Sequence, residues 1–128
     1  MGKSGPETKL VTKMRDAGLA EYGDRLLIVK NHGNEYSATG VSDLTGCLDG
    51  VFFACEVKAP ETYGGNVQRA LDKGPTVKQR LFVAKVLAAG GVGGFAATIE
   101  QFMEILDCAA KRDGGYGGCG RTCDGHYV

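Results

Sequence analysis

The pair Asp49-Gly50, set between two apolar stretches, constrains this chain more than any other feature of its sequence. Val41 to Leu48 precedes it and Val51 to Lys58 follows. Asp-Gly between such flanks predicts a two-residue β-hairpin turn, because both central residues must reach positive φ. Leu48 then pairs with Val51, and every cross-strand pair carries numbers summing to 99. Strand alternation sends Phe53, Cys55 and Val57 to one face, which reads as a core row. Phe52, Ala54, Glu56 and Lys58 project from the other.

The elements around the hairpin follow from periodicity and from Gly and Pro punctuation. A helix is predicted from about Pro6 to Ala17, with Leu10, Val11, Met14 and Ala17 on one face and Gly18 as its end. Ser4 and Glu7 read as a capping box at its start. Arg25 to Lys30 is a first strand, and the polar stretch Asn31 to Gly40 a loop. Ala59 to Pro75 reads as a long polar loop containing Gly64-Gly65 and Lys73-Gly74-Pro75. Thr76 to Ala88 is a second helix that turns Val77, Leu81, Ala84 and Leu87 toward the core, and Gly90-Gly91 stops it. Val92 to Ala97 is a further strand, weakened by Gly93 and Gly94. Thr98 caps a third helix reaching about Lys111, with Ile99, Phe102, Leu106 and Ala109 on one side. The predicted order is helix, three strands, helix, strand, helix, an α/β chain. Residues 1–112 form one domain, and 113–128 a flexible, glycine-rich tail.

Composition narrows the function. A chain of 128 residues, 43% hydrophobic and 23% charged, fits one globular domain with a core. No apolar run approaches the ~20 residues that span a bilayer, so no membrane partner is expected. The N-terminus carries a lysine without a hydrophobic stretch behind it, which reads as no signal peptide and a cytoplasmic setting. Five cysteines, an odd number, do not look like a secreted disulfide framework. Fifteen basic and fifteen acidic side chains cancel. That counts against a protein coating nucleic acid through charge alone, yet it leaves room for a carboxylate-rich site that lowers the total while lysines elsewhere face an anionic ligand.

The hairpin register carries chemistry. It places Asp43 directly opposite Glu56, where Cβ atoms lie ~4.5–5.5 Å apart and like charges repel. Two such carboxylates are tolerated best with a cation between them. Lys58 stands beside Glu56 on the same face, although Glu and Lys are poor strand formers and rarely fully buried. Hard oxygen ligands suit Mg²⁺, which activates bound water. A neighbouring lysine orients that water or stabilises charge in the transition state of phosphodiester hydrolysis. The plain alternative is a set of solvated charges on an open sheet face.

Gly40-Val41-Ser42-Asp43, Glu56-Val57-Lys58 and Thr76-Val77-Lys78-Gln79 together resemble the PD-(D/E)XK nuclease superfamily, most of all its small VRR-NUC branch of phage and DNA-repair enzymes. The similarity runs roughly from Glu7 to Thr98 and takes in Gly46-Cys47-Leu48-Asp49-Gly50 and Ala89-Gly90-Gly91. The resemblance implies a restriction-endonuclease-like αβββαβ core with a mixed central sheet flanked by helices. It further implies Asp43, Glu56 and the Val57 backbone carbonyl as ligands of Mg²⁺, for which Mn²⁺ substitutes. Lys58 is implied as base or charge stabiliser, with Gln79 pointing toward the site. Thr76 and Gln79 also form a capping box, and both roles are compatible. Glu7 matches an acidic residue of the family's first helix, although its capping box explains it equally well. Ser42 departs from the family by replacing the proline of its name, and the 61–75 loop is longer than the compact branch usually shows. In and after that loop, Arg69, Lys73, Lys78 and Arg80 are candidates for DNA phosphate contact, or else a solvated rim.

Other signals weigh less. Cys108, Cys119, Cys123 and His126 offer zinc ligands but lack a Cys-x-x-Cys pair. His32 reads as a surface residue. Gly90 to Gly94 has no phosphate-loop lysine, so no nucleotide cofactor is expected. The reading is a metal-dependent DNA endonuclease, phage-encoded and selective for branched DNA such as four-way junctions. As a homodimer it would make paired cuts, with spare apolar residues of the third helix (Phe102, Met103, Ile105) meeting the partner or else completing the chain's own core. The alternatives are a duplex or flap nuclease of repair or restriction, and a non-catalytic DNA-binding module.

Overall fold

A computed structural model describes residues 5–31 and 41–111. The hairpin forms in the expected register. Asp49 and Gly50 take φ of 52° and 86°. Strands β2 (Leu44–Leu48) and β3 (Val51–Val57) pair antiparallel from Leu48↔Val51 to Leu44↔Cys55. Strand β1 (Leu26–Lys30) pairs antiparallel with β2, and β4 (Val92–Ala96) lies parallel to β3, from Phe53↔Val92 to Val57↔Ala96. The sheet order is β1-β2-β3-β4. A parallel β3–β4 pair needs a long crossover. The chain between them supplies a 3-10 turn (Pro60–Tyr63), helix α2 (Val67–Lys73) and helix α3 (Val77–Ala88).

Helices α1 (Pro6–Tyr22) and α4 (Ile99–Lys111) cover one sheet face and α3 the other. Phe53, Cys55 and Val57 form the core row that alternation predicts, joined by Val11 and Met14 of α1 and Phe102, Ile105 and Leu106 of α4. Phe53 and Phe102 meet edge to face with centroids 6.3 Å apart, a favoured aromatic geometry.

Several elements differ from expectation. Helix α1 does not end at Gly18 but runs on to Tyr22. Gly18 is buried where α1 meets α4, and a Cβ there would stand 2.9 Å from Leu106 Cδ1. Its glycine makes room for a neighbour and does not stop the helix. The α1 N-cap is Gly5, without a side-chain cap bond, so Glu7 is released from the expected box; Ser4 lies outside the described residues. The 59–75 stretch is no simple loop, since Asn66 caps α2 by accepting from the Arg69 N–H at 2.9 Å. Helix α3 is rotated from the expected face. Val83 and Val86 point inward, while Val77 is 73% and Leu81 56% exposed and Ala84 is exposed too. Gly91 and Gly93 explain the rotation, because their bare Cα positions leave clefts that Val86 and Val83 fill. On α4, Phe102 and Ile105 are fully buried and Met103 packs against the core. They complete this chain's own interior, which removes the surface expected to meet a second copy. Among the described residues no helix is long and apolar enough to cross a membrane.

Candidate active site

The site sits where β3 ends. Glu56, near that end, is 2% exposed, and Lys58, just past it, is 9% exposed. The reading as solvated charges on an open face therefore does not hold. Their even-numbered face of β3 is the one α3 covers, which buries Ala54 and Glu56 together. Asp43 lies one residue before β2 and continues the hairpin register toward Glu56. Its backbone carbonyl accepts from the Asn31 N–H at 2.8 Å, and its Oδ2 accepts from the Val57 N–H at 2.8 Å. Asn31 adds two side-chain bonds from Nδ2, to the Ser42 carbonyl at 2.9 Å and to Thr45 Oγ1 at 3.0 Å. Asp43 is thus held at a fixed point against β3. Lys58 is tied through its N–H to the Ala96 carbonyl at 3.0 Å, and its Nζ lies 3.5 Å from Glu56 Oε2.

Electrostatics mark Glu56 as the stressed group. Burial, then the negative charge of Asp43, push its carboxyl up to about 8, against the smaller opposing pull of Lys58. Its Oε1 is buried and meets no donor while the carboxyl is ionised; protonated, the carboxyl shares a hydrogen bond with Asp43. An orphaned carboxylate oxygen of this kind is costly unless something binds it. A proton shared with Asp43 answers the charge in the folded chain; Asp43 and Glu56 are also hard oxygen donors of the kind a divalent ion would take.

Glu7 also reaches this region. Burial raises the pKa of its carboxyl, which from the first turn of α1 also feels the charges of Lys58 and Asp43 and the backbone of Ala59. A cavity of about 90 Å³ lies between α1 and the strand ends, lined by Glu7, Thr8, Val11, Lys30, Asn31 and Asp43. It has room for several waters. Among the described residues, no three His, Cys, Asp or Glu side chains are grouped so as to hold one ion. Asp43 and Glu56 would therefore need water or backbone oxygen to complete a coordination shell.

The other expected residues divide. Gln79 sits in a complete capping box, its Oε1 accepting from the Thr76 N–H at 2.8 Å while its own N–H donates to Thr76 Oγ1 at 3.1 Å. That half of its expected role is observed, and it leaves the amide nitrogen for anything else. Arg69 and Lys73 line an open cleft with Thr62, Tyr63, Gly64 and Asn66. Lys78 is exposed on the first turn of α3. Arg80 is engaged within the chain, donating to the Asp72 carbonyl at 3.0 Å and lying 5.8 Å from the Phe95 ring centroid. Cys108 is buried on α4, and His32, Cys119, Cys123 and His126 lie outside the described residues. Sequence reasoning missed Asn31, whose place directly after a strand ending in Lys30 was its only signal. It also missed Lys9 and Lys13, which line a cleft of about 600 Å³ with Pro60 and Glu61 beside the site; their exposure on α1 hid them among ordinary surface lysines.

Comparison with known proteins yields no match to a family, to a curated protein or to a solved structure. The resemblance to the nuclease superfamily rests on this chain's own residues.

Proposed function

We propose that the chain is a metal-dependent phosphodiesterase that cuts DNA, with Asp43 and Glu56 as ligands of Mg²⁺ and Lys58 as the charged group beside the reaction. The observation that carries this reading is the buried Glu56, its Oε1 meeting no donor while ionised, flanked by one carboxylate and one lysine. An apolar pair would stabilise this corner of the fold better than an acid and a base two residues apart on a buried strand. A role in chemistry accounts for their presence.

A divalent ion held by Asp43 and Glu56 would supply an activated water and neutralise phosphate charge. Asp43, fixed by the Val57 N–H, and Glu56 hold the ligand oxygens apart at the spacing of opposed strands. The Val57 carbonyl is the backbone donor that the nuclease resemblance implies. Lys58 donates from Nζ toward the water or the developing phosphorane oxygens, with Glu56 Oε2 limiting where its ammonium travels. Arg69 and Lys73, which line one cleft, and Lys9 and Lys13, which line another, are the cations this reading would assign to phosphate contact. Branched DNA, cut by two copies of the chain, is the finer form of this proposal.

The test is cleavage of a panel of four-way junction, flap, duplex and single-stranded DNA with Mg²⁺, Mn²⁺ or EDTA. Metal-dependent cutting that Asp43→Asn abolishes supports the reading. DNA binding without cutting under any metal identifies a non-catalytic module and overturns it.

A further inference from the structure

Lys58 ends in a flexible four-carbon stem, and a reaction that depends on its ammonium needs that stem confined. The stem lies against Gly74, in the turn between α2 and α3. A Cβ built on Gly74 would stand 2.8 Å from Lys58 Cδ and 2.9 Å from Cγ, closer than carbon atoms pack. Gly74 has φ −70° and ψ −46°, a right-handed helical conformation open to every L-residue. Its backbone therefore does not require glycine. Space does: the position a Cβ would take is closed by the Ala70 carbonyl at 2.6 Å and by the Lys58 stem, which packs into the slot the missing side chain leaves.

The wall of this slot is fastened from both ends. The Gly74 N–H donates to the Ala70 carbonyl at 3.0 Å, which binds the turn to α2. Arg80, from α3, donates to the Asp72 carbonyl two residues earlier. Pro75 follows in a buried position, and Thr76 opens the capping box of α3. The same Arg80 stacks near Phe95, the β4 partner of Glu56.

We propose that Gly74 is a positioning residue for Lys58, with Arg80 holding the turn that makes the slot. This rests on the reading of Lys58 as the group serving the reaction. It assigns Arg80 to the fold of the site and not to DNA phosphate.

The experiment uses the full chain and a DNA junction with Mg²⁺, comparing Gly74→Ala, Arg80→Ala, Lys58→Ala and the Gly74→Ala/Lys58→Ala double variant. Gly74→Ala is expected to lower kcat by about 10²-fold, the order of loss that a displacement of ~1 Å brings, with KM unchanged. In the Lys58→Ala background the same change should remove almost nothing further, since there is no ammonium left to misplace. A structural defect alone would lower activity in both backgrounds. Acylation of the Lys58 amine by a small reagent, followed by mass spectrometry, gives a readout independent of cleavage. Gly74→Ala should speed it severalfold by forcing the stem out. Wild-type kcat and wild-type labelling in Gly74→Ala overturn the proposal. If Gly74→Ala fails to fold, Arg80→Ala decides: lowered kcat at constant KM supports the proposal, and raised KM at constant kcat overturns it. Should the unaltered chain cut no DNA, the proposed function falls while the labelling still tests the slot.

Discussion

Asn in place of Asp43 keeps an amide oxygen for the Val57 N–H and removes one negative charge beside Glu56. The fold should survive, and without metal it should gain slightly from the lost repulsion. Cleavage should fall by about 10²–10³-fold or more for Asp43→Asn and for Glu56→Gln. Lys58→Ala should lose cleavage by a similar factor yet bind Mn²⁺ with unchanged affinity, because it contributes no ligand. Calorimetry beside the cleavage assay separates the roles, and full activity in any of the three contradicts its assignment. Glu56 also predicts a pH dependence. Its folded pKa lies above its ordinary value of 4.5, at about 8, because folding buries it beside Asp43. The sign follows from linkage: the stabilising contribution belongs to the protonated form, is complete below 4.5, and is lost as pH rises to about 8. Burial shifts Glu7 in the same direction. In EDTA, the Tm of the chain should fall across that window, and Glu56→Gln should flatten the fall. Thermal scans from mild acid to mild alkali check it, and a Tm that rises with pH for the unaltered chain but not for Glu56→Gln reverses the argument.

Hairpin elements were legible because their signals are local. Asp49-Gly50 set a register that holds through five cross-strand pairs, and that register alone brought Asp43 to Glu56. Thr98 was legible as a cap for the same reason, its Oγ1 accepting from the Gln101 N–H at 3.1 Å. What stayed hidden depends on neighbours distant in sequence. Helix α2 is short, bounded by Gly64-Gly65 and Gly74-Pro75, and buries only Ala70, so breaker residues outweighed its weak apolar pattern. The true face of α3 depends on clefts at Gly91 and Gly93, and the continuation of α1 past Gly18 on Leu106. Glycine in each case marks a close approach, which a single sequence does not distinguish from a stop or a weak strand. Gly46 is the strongest such case. A Cβ there would collide with the Leu27 carbonyl and stand 2.9 Å from the Phe53 ring. Gly46→Ala should therefore destabilise the chain by about 1–3 kcal/mol through overpacking, whereas Gly50→Ala, with nothing within 4 Å, should suffer only from its positive φ. Urea unfolding of the two variants distinguishes a crowded core from a strained turn. Equal midpoints for Gly46→Ala and the unaltered chain would show that β1 and Phe53 yield freely.

At the scale of the whole molecule, the hairpin presents the opposed carboxylates Asp43 and Glu56, and the chain carries no net charge. A single such site cuts one strand per encounter, whereas resolving a four-way junction takes two cuts placed symmetrically. The apolar residues of α4 expected to pair two copies pack inside one chain, so on the proposed function junction DNA itself would bring two copies together. On the proposed function each copy would have little long-range attraction for DNA, and its phosphate contacts would come from a few local cations, Lys9 and Lys13 beside one cleft and Arg69 and Lys73 in another. Two copies on one junction double those contacts. Light scattering should accordingly report a single chain at micromolar protein, and two chains per junction once junction DNA is added. With protein limiting, a singly nicked junction should accumulate before the fully resolved product. Affinity should fall with salt along a shallow slope of about −0.9 for each phosphate contacted, and the Arg69→Ala/Lys73→Ala variant should reduce that slope by about 2 without altering kcat. A chain that stays single on the junction and cuts linear duplex equally fast acts on ordinary DNA, which would leave the metal-dependent nuclease intact and remove its preference for branches.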